Sequence, residues 1–319
     1  MIILSLAALA LAAQADTVPP AAVVESAYAI HSGGLELAGT LTMPREASGP
    51  VPVVVIIAGS GPTDRNGNSM MGIRPNSYAQ LAWRLAERGI ASLRYDKRVL
   101  PGTKGTFNIA QLTLDDFAAD ARAAADSLAR DRRFSRVVLL GHSEGSALAL
   151  IAGRAGAPVS AVISVSGLGR PFATVLREQL ARQFDSTVMV RYDTAMAQYL
   201  RGETPRDVPQ QLGVLFIPIN QTFMRSLATF DPPTAARALR LPLLIVQGSH
   251  DLQVRVQDAE RLHAARPDAA MVIVPGANHV LKQTTDTTLA GQRPLYQSPS
   301  HPIMPEVVSA IGDWVLKLP

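Results

Sequence analysis

The residues best suited to chemistry in this chain sit in one short run, Gly141-His142-Ser143-Glu144-Gly145. It follows the mostly apolar segment Arg136–Leu140 and leads into Ser146-Ala147-Leu148-Ala149-Leu150, which reads as a helix. G-x-S-x-G between a strand and a helix is a nucleophile elbow, in which glycines permit a tight turn that lifts the serine hydroxyl above the strand end. The competing reading is a glycine-flanked turn with an inert serine. A serine hydroxyl is a poor nucleophile at neutral pH, so Ser143 needs a base to take its proton and an acid to orient that base. The chain offers six histidines and 26 acidic residues for those roles. It has no cysteine, which removes thiol nucleophiles, thiolate metal sites and disulfides together. The histidines form no H-E-x-x-H or H-x-x-x-H pattern and no G-x-G-x-x-G follows a strand, so no metal and no cofactor is expected.

An elbow works only when a strand ends beneath it. Val51 to Ile57 is a nearly continuous apolar run, as in a strand buried on both faces of a parallel sheet. Similar runs recur at Ile90–Tyr95, Arg136–Leu140, Ala161–Val165, Leu243–Val246 and Met271–Val274. Leu35–Leu41 alternates instead, as a half-buried antiparallel strand does. Helical patterns at Tyr78–Glu87, Leu114–Ala129 and from Ser146 to Ile151 separate the runs, and Pro305–Leu316 carries a last apolar stripe. Alternation of this kind predicts an α/β fold, a mostly parallel central sheet with helices on both faces. The rhythm breaks once. Residues 170–235 hold Phe172, Phe184, Met189, Tyr192, Met196, Tyr199, Phe216, Phe223 and Met224 between proline-rich joints, which reads as an inserted helical cap.

On the elbow, the strand rhythm and the insertion, the chain resembles the α/β-hydrolase family, in particular its secreted bacterial carboxylesterases with a helical cap after the sixth strand. The likeness runs over roughly residues 35–317. It implies a Ser, Asp, His order of catalytic residues. Gln247-Gly248-Ser249-His250-Asp251-Leu252-Gln253-Val254 resembles the G-x-x-D-x-x-V loop that carries the acid, which points to Asp251. Pro275-Gly276-Ala277-Asn278-His279 stands where the family places its histidine. All three would lie at the carboxyl ends of buried strands, where open α/β sheets bind ligands. His250 and His301 are rival bases, His31 and His263 have no supporting context, and Asp96 and Asp231 are rival acids. The family's H-G-x-G oxyanion loop is replaced by Ala58-Gly59-Ser60-Gly61. The resemblance assigns one oxyanion donor to the backbone of Ser60, with Gly59 or Gly61 possible, and the other to Glu144. Gly59 and Gly61 would also let substrate approach the backbone closely. Arg94-Tyr95-Asp96-Lys97-Arg98 resembles the Y-D-x-R-G segment, with Val99 in place of its glycine, and is expected to be a salt-bridged structural element.

The expected activity is therefore hydrolysis of carboxylic esters through an acyl-enzyme, on a small-molecule ester held between cap and sheet, with Phe216, Phe223 and Met224 on the pocket wall. A peptidase, amidase or thioesterase with the same triad is the alternative, and Glu178, Asp185 and Glu203 in the cap could serve an amino terminus. A non-catalytic binding protein would not need the triad. The chain has 319 residues, 47% hydrophobic and 18% charged, which supports a sizeable core. Its net charge of +4 comes from scattered arginines without a basic block or aromatic interleaving, so no nucleic-acid partner is expected. Residues 2–13 are apolar and lead to Gln14-Ala15, which resembles a signal peptide over residues 1–15 with an uncharged n-region and implies export to the periplasm or medium. At 12 residues that run is too short to span a bilayer, and no stable membrane insertion is expected. The hydrolase core is then 16–169 with 236–319, and the cap is 170–235.

Overall fold

The computed structural model describes residues 17–70 and 72–319, so the apolar segment 2–13 and the expected cleavage point after Ala15 lie outside the described residues. The apolar runs all become strands. In chain order the strands are β1 (Val23–Ser32), β2 (Leu35–Pro44), β3 (Val51–Ile57), β4 (Ala91–Tyr95), β5 (Phe134–His142), β6 (Ala161–Val165), β7 (Leu243–Gly248) and β8 (Ala270–Val274). They form one sheet of order β1-β2-β4-β3-β5-β6-β7-β8. From β4 to β8 every pairing is parallel, and β1 and β2 add antiparallel at one edge. The sheet is thus mostly parallel, as expected.

Sequence reading did not find β1. Its partner β2 reaches it through Gly33 and Gly34, both at positive φ, the backbone a tight two-residue hairpin turn requires. Only Val23, Ile30 and Ser32 of β1 are buried, so this edge strand has no alternation strong enough to read.

Ten α-helices accompany the sheet among the described residues: α1 (Ser77–Ala86), α2 (Leu114–Ala129), α3 (Glu144–Arg154), α4 (Phe172–Ala181), α5 (Ser186–Leu200), α6 (Gln221–Thr229), α7 (Pro232–Ala238), α8 (Val256–Ala265), α9 (Leu289–Tyr296) and α10 (Pro305–Lys317). Strand side chains alternate between two cores. Val53, Val55 and Ile57 pack with α2, α3, α7 and α8 on one face, and Val54 and Ile56 pack with α1 and α10 on the other. Such two-sided burial explains why β3 reads as an unbroken apolar run.

Between β6 and β7 the chain leaves the sheet for α4 to α7. Tyr192, Met196, Tyr199, Leu212 and Phe216 pack with Leu180 and Met189 in a separate apolar cluster. The expected boundary at residue 235 cuts through α7, because Ala235 and Ala236 are buried in the core of the sheet face. Between β8 and α10 the chain forms α9.

Candidate active site

At the end of β5 the chain reverses into α3 at Ser143, which adopts φ 56° and ψ −121°. A non-glycine residue at positive φ stores strain that the surrounding structure must hold in place. What holds it is close packing of backbone on backbone. A Cβ on Gly141 would lie 2.0 Å from the Gly145 carbonyl oxygen, and one on Gly145 would lie 2.3 Å from that of Ile57. The Ser143 N–H donates to Val165 O at 2.9 Å and its carbonyl accepts from Ser146 N at 3.0 Å. The hydroxyl is left to face a cleft of about 110 Å³ that His279, Gly59 and Ser60 also line.

Asp251 follows β7 and His279 follows β8, and the two side chains meet, with Nδ1 of His279 2.8 Å from Oδ2 of Asp251. Both are buried. The other carboxylate oxygen of Asp251 accepts from the backbone N–H of Gln253 at 2.8 Å and of Val254 at 2.9 Å. Burial pushes the Asp251 carboxyl up, but the His279 charge, its hydrogen bond and the two backbone donors outweigh this and hold the pKa below its ordinary value. A carboxylate accepts only, so Nδ1 of His279 carries a hydrogen, and in the neutral ring the lone pair is therefore on Nε2. Asn278 fixes this loop by accepting from the N–H of Val280 at 3.1 Å and of Lys282 at 3.0 Å.

The rival residues are engaged elsewhere. His250 Nδ1 lies 2.6 Å from Thr284 O, Asp96 pairs with Arg65 at 2.6 Å, and Asp231 accepts from Thr234 at 2.5 Å. His31, His263 and His301 do not line the Ser143 cleft.

Of the three candidate donors in the loop after β3, Gly59 is already committed, since its N–H donates to Tyr78 Oη at 3.1 Å. Ser60 lines the cleft, and Glu144 stands at the first position of α3, where the helix dipole favours negative charge. Among the described residues neither the Ser60 nor the Glu144 N–H has an acceptor. This pair of donors beside a strained serine is what an oxyanion site requires.

Two residues that sequence reading left without a role tie the site together. His142 is buried against Tyr78 and His279, with Nε2 2.8 Å from the His279 carbonyl oxygen and Nδ1 2.8 Å from Tyr78 Oη. Burial, with a further push from His279, lowers its pKa to about 3, so the ring is neutral. A carbonyl only accepts, so Nε2 carries the hydrogen and Nδ1 accepts from Tyr78. The chain Gly59 N–H to Tyr78 to His142 to His279 carbonyl therefore has one consistent direction, and it links the loop after β3 to the loop after β8. No local pattern marks Tyr78. His142 is a variable position of the elbow motif.

A buried neutral histidine makes stability depend on pH. The unfolded chain takes up a proton near the ordinary value of 6.5 and the folded chain only near 3, so stability is lost as pH falls through that window. At about 1.4 kcal/mol per pH unit, wild type is expected to lose about 2–3 kcal/mol from this group between pH 7 and pH 4.5. Denaturant unfolding at both pH values checks this. His142→Asn should be less stable at pH 7 but lose that much less on acidification, and equal losses in the two proteins would refute the assignment.

Lys97 and Glu144 form an ion pair at 2.7 Å with both side chains almost fully buried. Lys97 also lies over the Phe117 ring at 5.7 Å. A buried carboxylate would oppose any negative charge that develops near the Glu144 N–H, and the ammonium offsets it. The rest of the segment is salt-bridged as expected: Arg98 binds Asp120 at 2.7 Å and Arg94 binds Glu25.

Beyond Ser60 the site opens into an apolar cavity of about 440 Å³, lined by Gly61, Glu144, Phe223 and Met224 among others. Phe216, expected beside Phe223 and Met224, is not on this wall. It stacks edge-on against Tyr199 at 5.5 Å inside the α5 cluster, because aromatic spacing on a helix does not distinguish a pocket wall from a core. The three acidic residues that could serve an amino terminus in the alternative peptidase reading are occupied. Glu178 pairs with Arg170, Glu203 pairs with Arg201 at 2.6 Å, and Asp185 accepts from Val188 N at 3.0 Å at the start of α5.

A profile of the alpha/beta hydrolase family matches residues 54–283. Esterase EstD of Thermotoga maritima is 28% identical over 287 residues, which are 88% of this chain and 66% of that esterase, so the chain spans a little under two thirds of its relative's length. Est1E of Butyrivibrio proteoclasticus, solved with ferulic acid bound, superposes with a TM-score of 0.59 at 18% identity, over 91% of this chain and 98% of the other. A proline iminopeptidase of Mycobacterium smegmatis gives the same TM-score at 16% identity, over 92% and 98% of the two chains. At such identities the two structures speak to the fold alone.

Proposed function

The chain belongs to the alpha/beta hydrolase family, and we propose that within it this protein is a serine hydrolase of carboxylic esters. The observation that carries the reading is the strained Ser143 elbow sharing one cleft with His279, whose Nδ1 is held by the buried Asp251. In this reading the Ser143 oxygen attacks the ester carbonyl carbon while Nε2 of His279 takes the hydroxyl proton. The carbonyl oxygen gains negative charge against the N–H groups of Ser60 and Glu144. Collapse of the tetrahedral intermediate breaks the ester bond, and imidazolium gives its proton to the leaving alcohol. Water then attacks the acyl-enzyme, again losing a proton to His279, and the acid leaves with Ser143 restored.

The likeness to a Thermotoga esterase supports an ester substrate. A peptidase that holds a peptide's amino terminus uses a free carboxylate, and Glu178, Asp185 and Glu203, which could serve one, each have a partner already. Helices α4 to α6 act in this reading as a cap over the site, and residues 1–15 as an export signal. No described helix is long and apolar enough to cross a membrane.

A fluorophosphonate probe tests the proposal. The expected result is one adduct per chain, mapped to Ser143 by mass spectrometry, and parallel loss of nitrophenyl butyrate hydrolysis. Labelling elsewhere, or turnover that survives full labelling, would sink it.

A further inference from the structure

The cleft at Ser143 opens on two sides, and the two sides differ in chemistry. Through Ser60 it meets the apolar cavity of about 440 Å³ described above. Through Ile73, Gln253 and Tyr296, which line both spaces, it meets a groove of about 380 Å³ on the other side. Arg182, Arg293, Gln179, Gln183 and Gln297 line that groove, and among the described residues no Asp or Glu does. Neither arginine has a carboxylate partner among the described residues. Arg182 donates through Nη1 to Leu252 O at 2.6 Å, which leaves most of its fork unused. Burial and the nearby charge of Arg255 lower the pKa of Arg182 against the pull of Glu178, and Arg170 lowers it further, which fits a surplus of positive charge at this corner.

Tyr296 adds a neutral donor at the junction. Its oxygen accepts from Gln253 Nε2 at 3.0 Å, and burial raises its pKa well above the ordinary value, so its own hydrogen remains available. Gln253 is held in turn by the Asp251 carboxylate through its backbone N–H. The groove is thereby fixed to the same loop that orients His279.

We propose that this site takes a bipartite ester, with an apolar group on one side of the scissile bond seated in the large cavity and a carboxylate-bearing group on the other side met by Arg182, Arg293 and Tyr296. The proposal rests on the serine-hydrolase reading and adds the class of substrate to it. An exposed guanidinium fork binds a carboxylate through directed hydrogen bonds, and the attraction weakens with salt.

The experiment compares charged and neutral esters in two pairs at low and high salt. One pair carries the carboxylate on the alcohol side, 4-carboxyphenyl hexanoate against its methyl ester. The other carries it on the acyl side, the nitrophenyl monoester of adipic acid against nitrophenyl hexanoate. In one of the pairs the charged-to-neutral ratio of kcat/KM should fall about tenfold in the Arg182→Gln/Arg293→Gln double variant, mostly through KM. It should stay within about threefold of wild type in Arg182→Lys/Arg293→Lys, and the wild-type ratio should shrink in 0.5 M salt. Ratios that do not move in either pair, while the esters are still hydrolysed, overturn the substrate proposal alone. Absence of turnover on all four esters together with no fluorophosphonate adduct would overturn the hydrolase reading and this proposal with it.

Discussion

Ser143→Ala is expected to lower kcat on nitrophenyl butyrate by about a millionfold, and Asp251→Asn by about ten-thousandfold, both with the fold intact. The first variant removes the attacking oxygen. The residual rate would then come from water attack assisted by the Ser60 and Glu144 donors. The second is the sharper test, because it keeps the volume and changes only the oxygen that meets His279 at 2.8 Å and also accepts from Gln247 Nε2 at 3.3 Å. Asp251 Oδ1 accepts from Gln253 and Val254, and an asparagine oxygen can keep both contacts. Its amide nitrogen would then face Nδ1 of His279, where Oδ2 now accepts. An N–H there favours the other tautomer, with hydrogen on Nε2, and a ring in that state cannot take the Ser143 proton. Circular dichroism and thermal unfolding check that both variants fold, and initial rates over pH 5–9 give kcat. An asparagine variant within tenfold of wild type would mean that Asp251 does not set the state of His279.

How far this site could be read without coordinates depends on the range of the forces involved. The strands from β3 onward are legible because burial on both faces demands unbroken apolar runs, as in Val51–Ile57. β1 is not, since an edge strand is held by its ladder with β2 and needs little apolar patterning. Ser143 is legible because the elbow needs small residues at fixed offsets, and Gly141 and Gly145 each stand where a Cβ would strike backbone. Asp251 and His279 carry no such local constraint and are found only through likeness to a family. Tyr78 and His142 act through a contact 64 residues apart in the chain, which leaves no mark on the spacing of either. Phe216 shows the opposite failure, since an apolar helical stripe looks the same whether it faces a ligand or a neighbouring helix.

The elbow glycines also bear the largest expected effect on stability. Gly141→Ala should destabilise the protein by about 3 kcal/mol, lowering Tm by roughly 5 °C for a chain of this size, and reduce kcat at least a hundredfold. Gly141 is not among the residues at positive φ, so its backbone angles would suit alanine and the cost is steric. The added Cβ would lie 2.0 Å from Gly145 O, 2.2 Å from Gly145 C and 2.5 Å from Ser146 N. Those are backbone atoms at the start of α3, pinned by Gly145 packing on Ile57, so no side chain can swing away to relieve the overlap. The turn must open instead, and a shift of about 1 Å at a reacting atom costs about a hundredfold in rate. Gly61→Ala supplies the contrast. Gly61 has φ +75° with no atom within 4 Å of an added Cβ, so its cost is conformational alone, about 1–2 kcal/mol. Thermal unfolding and fluorophosphonate labelling rates on the two variants separate the effects. The Gly141 variant should lose both stability and labelling, whereas the Gly61 variant should lose chiefly stability. Equal labelling rates in Gly141→Ala and wild type would mean that the elbow tolerates a side chain and that strain at Ser143 is not held by glycine packing.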